Sequence, residues 1–341
     1  GYFFINIMGL AVGMACCILI LLWVQDELSY DTFHENSESI YRIASSGAYF
    51  EWIDGTPAPL GPAISAEIPE IIHSVRFSEV PRMLFTAGEK VFYEDGLILV
   101  DSSFFEVFTF PFLLGNSGNV FSEPFNIVIT NSMARKYFGD DDPIGKTLEI
   151  EGNPTVVSGV LKDIPYNSHL QFDFVASFKL TEIVGTFSTH WGAFNFVTYV
   201  QLQEGSNLNE VHLKMTDIAL KNECPQVKDG VGFYLQHLSE LHLDYRNNYR
   251  SYGDIGDSRI VYSFSIIALV IMLIACINYI NLSTARSSNR AKEVGMRKTI
   301  GANRIQLINQ FLSESVLLAL FSLIVAVVIM ELFLPFFNQL S

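Results

Sequence analysis

FFINIMGLAVGMACCILILLWV, Phe3 to Val24, runs for twenty-two residues without a charge. At about 1.5 Å per helical residue such a run crosses roughly 30 Å of hydrocarbon. It is too long for the apolar core of a cleaved leader, and no small-residue cleavage site precedes Gln25-Asp26-Glu27. Two further blocks, Ile260 to about Leu282 and about Phe311 to Phe337, are each long enough and nearly free of charge, so three spans are expected. The chain begins at Gly1, at the edge of the first span, and stops four residues after the third, which reads as a piece of a longer protein.

The loops set the expected orientation. Between the second and third spans lie Arg286, Arg290, Lys292, Arg297, Lys298 and Arg304 against one acid, Glu293. Short loops rich in Lys and Arg stay in the cytoplasm. The amino terminus is then inside and residues 26–258 are outside. Of the 36 acids only Glu293, Glu314 and Glu331 lie beyond residue 260, so the part before it holds 33 acids against 15 bases. A surface of that charge repels nucleic acid and anionic lipid. Cys16, Cys17 and Cys276 fall in spans, which leaves Cys224 as the lone exported cysteine and allows no internal disulfide there.

The exported stretch shows two strand–helix–strand patterns. In the first, Ile40 to Ala44 alternates as a strand, the Pro/Gly cluster Thr56–Pro62 opens a helix through Ile68, and Ile71 to Phe77 returns as a strand. In the second, Phe194 to Leu202 alternates, Leu208 to Lys221 has helical spacing after the turn at Gly205, and Val231 to Leu238 is a third run. Two such units, over 40–80 and 190–245, predict a split α+β domain. Between them, residues 81–175 read as short strands broken by one helix near Ser132 to Phe138, a β-rich insertion. The expected divisions are therefore a helix over 1–25, the exported domain over 26–258, a second span over 259–283, a basic loop or helix over 284–304 and a third span over 311–337.

Few motifs point to chemistry. Gly145-Lys146-Thr147 looks like the end of a phosphate loop, but Gly139 stands one residue too far away and Asp140, Asp141, Asp142 and Pro143 intervene. Three carboxylates repel a triphosphate and proline lacks the amide donor, so a turn between a helix and a strand is the better account. The same aspartates lack the alternation of an EF-hand. His237 and His242, with Asp244 nearby, have no zinc-motif spacing, and no metal site is expected. No catalytic serine or Cys/His pairing is recognisable, so the chain is read as non-catalytic. Phe104, Phe105, Phe108, Phe110 and Phe112 are expected in a core before a substrate wall, and Glu331 at an interface. Gly9 and Gly13 make a small-xxx-small pattern, which is either a helix-packing face or the ordinary abundance of glycine in spans.

The basic loop carries the most information. As a helix, it sets Lys292, Met296 and Ile300 on one side, lets Glu293 pair with Arg297, and stops at Gly301. The residues alone fit either a short amphipathic helix beside the membrane or a basic loop that only fixes orientation.

Arg290-Ala-Lys-Glu-Val-Gly-Met-Arg-Lys-Thr-Ile-Gly-Ala302, followed by Gln310-Phe-Leu-Ser-Glu314, resembles the cytoplasmic signature of MacB/FtsX-type ABC transporter permeases. Val128 to Leu148 and Val160-Leu-Lys-Asp-Ile-Pro-Tyr-Asn-Ser-His-Leu170 are similar to the periplasmic core domain of that family, and Phe4–Gly13 and Gln25–Asp31 match as well. The resemblance implies a protein of the bacterial inner membrane whose exported domain is periplasmic, with Porter-like flanking units and a Sabre-like insertion. It also implies that Glu293, Gly295, Met296, Arg297, Lys298 and Gly301 face a partner ABC ATPase subunit, which would hold ATP and Mg; this chain would bind no cofactor itself. A homodimer or pseudo-dimer of permeases, and a periplasmic adaptor as a further candidate partner, follow from the same likeness. So do efflux and mechanotransmission, in which ATP use moves the periplasmic domain. The family core has four spans where three are seen here. A transmembrane sensor with a periplasmic ligand-binding domain, or an FtsX-like activator of a periplasmic hydrolase, are the alternatives.

Overall fold

The computed structural model describes residues 2–47, 49–181, 189–244, 256–299 and 304–337. The chain divides into a helical unit from the described parts of 1–28 and 258–341 and an α+β unit over 29–257.

The α+β unit follows helix α1 (Tyr2–Glu27) and a single 3-10 turn. Its first half contains β1 (Ile40–Gly47), β2 (Phe50–Ile53), β3 (Gly55–Pro57), α2 (Leu60–Glu67) and β4 (Ile71–Glu79). Pro59 immediately precedes α2, where a proline costs no helical hydrogen bond. The inserted part holds β5 (Met83–Ala87), β6 (Lys90–Glu94), β7 (Leu97–Val100), the one-turn helix α3 (Phe104–Val107), β8 (Phe112–Leu114), β9 (Asn126–Thr130), α4 (Asn131–Phe138), β10 (Thr147–Ile150), β11 (Asn153–Leu161) and β12 (Phe174–Ser177). The chain then returns through β13 (Phe194–Leu202), α5 (Leu208–Lys221), the short α6 (Pro225–Lys228) and β14 (Gly232–His237). The Asn207 side chain caps α5 by accepting from the Asn209 amide.

The main path through the sheet is β14-β1-β13-β4-β7-β12-β9-β11-β10-β5-β6. Its first four strands are mutually antiparallel neighbours, with α2 crossing from β1 to β4 and α5 from β13 to β14. Two interleaved βαβ units of this kind make the split α+β arrangement that the sequence predicts. The insertion prolongs the same sheet, because β7 pairs with β4 through Phe77↔Val100. That pairing joins strands from the two parts, and the strand runs taken singly carry no signal for it.

Successive residues of a strand face opposite sides of the sheet. On one side, α2 and α5 cover Ile43, Val200 and Phe233 with Leu60, Ile64, Val211, Met215 and Ile218. On the opposite side, Ile40, Val75, Phe77, Val197 and Tyr199 are covered by the single turn of α3 and irregular chain, which carry Phe104, Phe108, Phe110, Leu170 and Phe172. The phenylalanine run is thus core, with Phe105 and Phe112 packed at its margin. A third core lies in the insertion, where Ala134 and Tyr137 of α4 pack on Phe85, Ile127, Ile129 and Phe174.

In the helical unit, α7 (Ser258–Thr299) and α8 (Arg304–Phe337) join α1. Each has a stretch long and apolar enough to cross a membrane: Phe4–Glu27, Ser258–Asn281 and Ile308–Phe336. A methyl group placed on Gly13 would come within 2.6 Å of the Ala275 Cβ, and one on Gly9 within 3.2 Å of the Asn278 amide nitrogen. Ala11 and Ala15 bury against Ala326 of α8. Small residues along α1 therefore let both neighbouring helices approach closely. The expected break between the second span and a separate basic helix is absent through Thr299. α7 continues without interruption for 42 residues, since Ala, Arg, Lys, Glu and Met after the span favour helix and no proline intervenes.

Candidate functional site

Of the residues expected to meet an ATPase, Glu293, Gly295, Met296, Arg297 and Lys298 all lie on the last turns of α7. The Met296 side chain is 63% exposed. The side chains of Glu293, Arg297 and Lys298 fall outside the described part, and Gly301 lies outside the described residues altogether. At about 1.5 Å per residue the 42 residues of α7 reach roughly 63 Å, about twice the hydrocarbon thickness.

The phosphate-loop lookalike is a turn between α4 and β10. Its amides are already engaged: Ile144 donates to the Asp142 carboxylate at 3.0 Å, Gly145 to the Val157 carbonyl at 2.8 Å and Lys146 to the Pro143 carbonyl at 3.1 Å. Lys146 Nζ pairs with Asp141 Oδ2 at 2.8 Å, which holds that carboxyl below the usual range. Neither the amide cradle nor a free lysine is left for a phosphate. His237 accepts from the Ser239 amide, and His242 stacks on Tyr30 with ring centroids 3.4 Å apart, so the two histidines are placed by local packing.

A group of buried polar side chains was not singled out from sequence. Asp31, four residues past the end of α1, adopts a left-handed backbone at φ 59° and is 1% exposed. Aspartate tolerates that conformation better than most residues. Its amide donates to the Asn167 carbonyl at 2.9 Å, and its Oδ1 accepts from the His169 amide at 3.1 Å. His169 Nδ1 stands 2.8 Å from Asp31 Oδ2, and its Nε2 2.8 Å from the Tyr199 hydroxyl on β13. His34 Nε2 approaches Asp31 Oδ1 at 3.9 Å, while its Nδ1 accepts from the Thr109 amide at 3.0 Å. Beside this group, Arg42 occupies the β1 position paired across to Tyr199 and to Gln236, donates to Gln236 Oε1 at 2.8 Å and lies 3.9 Å from Asp54. Gln236 in turn donates to Asp244 at 2.7 Å. A polar row thus crosses the loop-covered face of an otherwise apolar sheet.

Burial pushes the His34 pKa down to about 4, with nearby His169 acting in the same direction and Asp31 against it. Burial pushes the Asp31 carboxyl up, but the charge and hydrogen bonds of His169, with His34, outweigh it and leave the acid below its ordinary value. Two imidazoles and a carboxylate invite a metal, yet the donor set does not suit one. Since His34 Nδ1 accepts the Thr109 amide proton, its neutral ring carries hydrogen on Nε2, the atom that faces Asp31, and offers no lone pair there. An Asp–His–Tyr relay is equally unsuited to catalysis, because Tyr199 is wholly buried. What the group can do is fasten. It holds residues 29–36 against the domain, aided by Asn167 to Ser29 Oγ at 3.1 Å and Glu35 to Thr109 Oγ1 at 2.9 Å. Asp31 and His169 are 138 positions apart, which is why sequence spacing gave no hint of them.

Comparison with known proteins places these features. The MacB-like periplasmic core domain matches residues 3–218, and the FtsX-like permease C-terminal domain matches residues 265–341. The macrolide export ATP-binding/permease protein MacB of Neisseria meningitidis serogroup A is 26% identical over 256 residues, covering 74% of this chain and 35% of that protein. The uncharacterised ABC transporter permease YknZ of Bacillus subtilis is 28% identical over 197 residues, covering 57% of this chain and 45% of that protein. The chain thus spans between a third and a half of these curated relatives. A permease domain from Porphyromonas gingivalis has a similar fold, with a TM-score of 0.51 at 18% identity over 60% of this chain and 91% of that one. With both its periplasmic domain and its carboxyl-terminal helices matched, the chain belongs to the family of MacB/FtsX-type ABC transporter permeases.

Proposed function

We propose that this chain is the non-catalytic, force-transmitting permease part of an ABC transporter, and that ATP hydrolysed by a partner ATPase in the cytoplasm moves its periplasmic domain. The observation that carries this is α7: one helix contains both a span and the basic segment, so a push on Met296 is delivered along a continuous hydrogen-bonded rod. The basic segment lies on the cytoplasmic side, by the excess of Lys and Arg over acids, and the amino terminus with it. Glu293, Gly295, Met296, Arg297, Lys298 and Gly301 form the docking element, and ATP with Mg belongs to the partner. Two permeases, identical or homologous, face one ATPase dimer, and a periplasmic adaptor is a further partner of the domain.

The test is Met296→Asp combined with Arg297→Glu in the full-length protein reconstituted with its cognate ATPase. Loss of copurification and of ATPase stimulation is expected. Unchanged association together with unchanged stimulation overturns the assignment.

A further inference from the structure

We propose that Asp31, His34, His169 and Tyr199 form an acid-released latch that fastens the segment following the first span to the periplasmic sheet. The geometry carries it. Asp31 is held from three sides, by the His169 amide, the His169 ring and the Asn167 carbonyl, and His169 is itself held by Tyr199 in the middle of the sheet. Residues 29–36 have no strand pairing; these contacts, the Thr109 and Glu106 bonds to His34, Glu35 and Asn36, the Asn167 bond to Ser29 and the stack of Tyr30 on His242 help tie them down.

His34 is the release. Its neighbours are the Phe33, Phe108 and Phe110 rings, the Thr109 amide, the Asp31 carboxylate and the His169 ring. Three aromatic rings solvate a charge poorly, and Nδ1 cannot take a proton while it accepts from the Thr109 amide. Proton uptake at His34 therefore requires that the segment detach. Detached, the imidazole has its ordinary pKa near 6.5, against about 4 when latched. The sign follows: the open form binds more protons between those values, so acidification favours opening. From pH 7.5 to 4.5 the open-to-latched ratio should rise roughly 70-fold.

This mechanism is independent of what, if anything, the permease carries, and its test needs no ATPase. Backbone amide hydrogen exchange is measured on the full chain in lipid nanodiscs at pH 7.5 and 4.5, corrected for intrinsic rates. Amides of 29–36 should lose protection by at least tenfold while those of β13 keep theirs. In His34→Asn, whose amide oxygen can still accept from Thr109, the pH effect on 29–36 should vanish with β13 protection intact. No differential change in the wild-type chain overturns the latch, as does a uniform loss across the sheet or a pH effect that survives in His34→Asn. Should His34→Asn fail to fold, His34→Gln is measured in its place against the same criteria.

Discussion

The two faces of the half of the sheet formed by β14, β1, β13 and β4 are built to different rules. One is closed by α2 and α5 with Leu60, Ile64, Val211, Met215 and Ile218, regular elements that satisfy their own backbone and need only apolar contact. The other is closed by the single turn of α3 and by irregular chain, which fill space with Phe104, Phe108 and Phe110, the irregular chain satisfying its backbone through buried side chains such as Asp31 and His34. Aliphatic packing does not respond to pH. A face that contains buried ionisable groups does. The fixed half of this domain and the half able to yield are thus two sides of one layer of strands.

The contrast can be broken most severely at Phe104, which is fully buried among Phe105, Phe108, Phe110 and Phe172. Phe104→Ala should cost about 3–5 kcal/mol, read as a fall in the denaturation midpoint of the full chain in detergent. If the loss were within a few tenths, the loop-covered face would not be a true core. Asp31→Asn comes next. It leaves His169 without its charged partner and should cost about 3 kcal/mol at pH 7 by the same measurement, a loss expected to shrink as the pH falls and the wild-type pair weakens. At the small end stands Lys146→Ala in the phosphate-loop lookalike, an exposed pair distant in design from both faces; the midpoint and any partner-stimulated ATP use should stay unmoved.

Much of this was legible in the sequence, for identifiable reasons. Long apolar runs nearly free of charge announced the three spans because hydrocarbon disfavours charge along a whole segment, and the two βαβ units showed themselves through local periodicity. What stayed hidden is non-local. The Phe77↔Val100 pairing makes the insertion a continuation of the sheet, but neither strand states its neighbour. The uninterrupted length of α7 was obscured because hydropathy ends at the span while helix propensity does not. The buried cluster joins Asp31, His169 and Tyr199, residues whose types are ordinary and whose meeting depends on the whole fold. The residues proposed for ATPase docking present the reverse case: picked out by resemblance, they lie largely beyond the described side chains.

The stack of Tyr30 on His242 has a further consequence. The Gly256 amide donates to the His242 carbonyl at 2.8 Å, so the chain enters and leaves the α+β unit beside a single residue. A domain whose two ends meet can be lifted out of its host and set into another without stretching either joint. In genetic terms residues 29–257 are a cassette, and the same helices can carry a different periplasmic head.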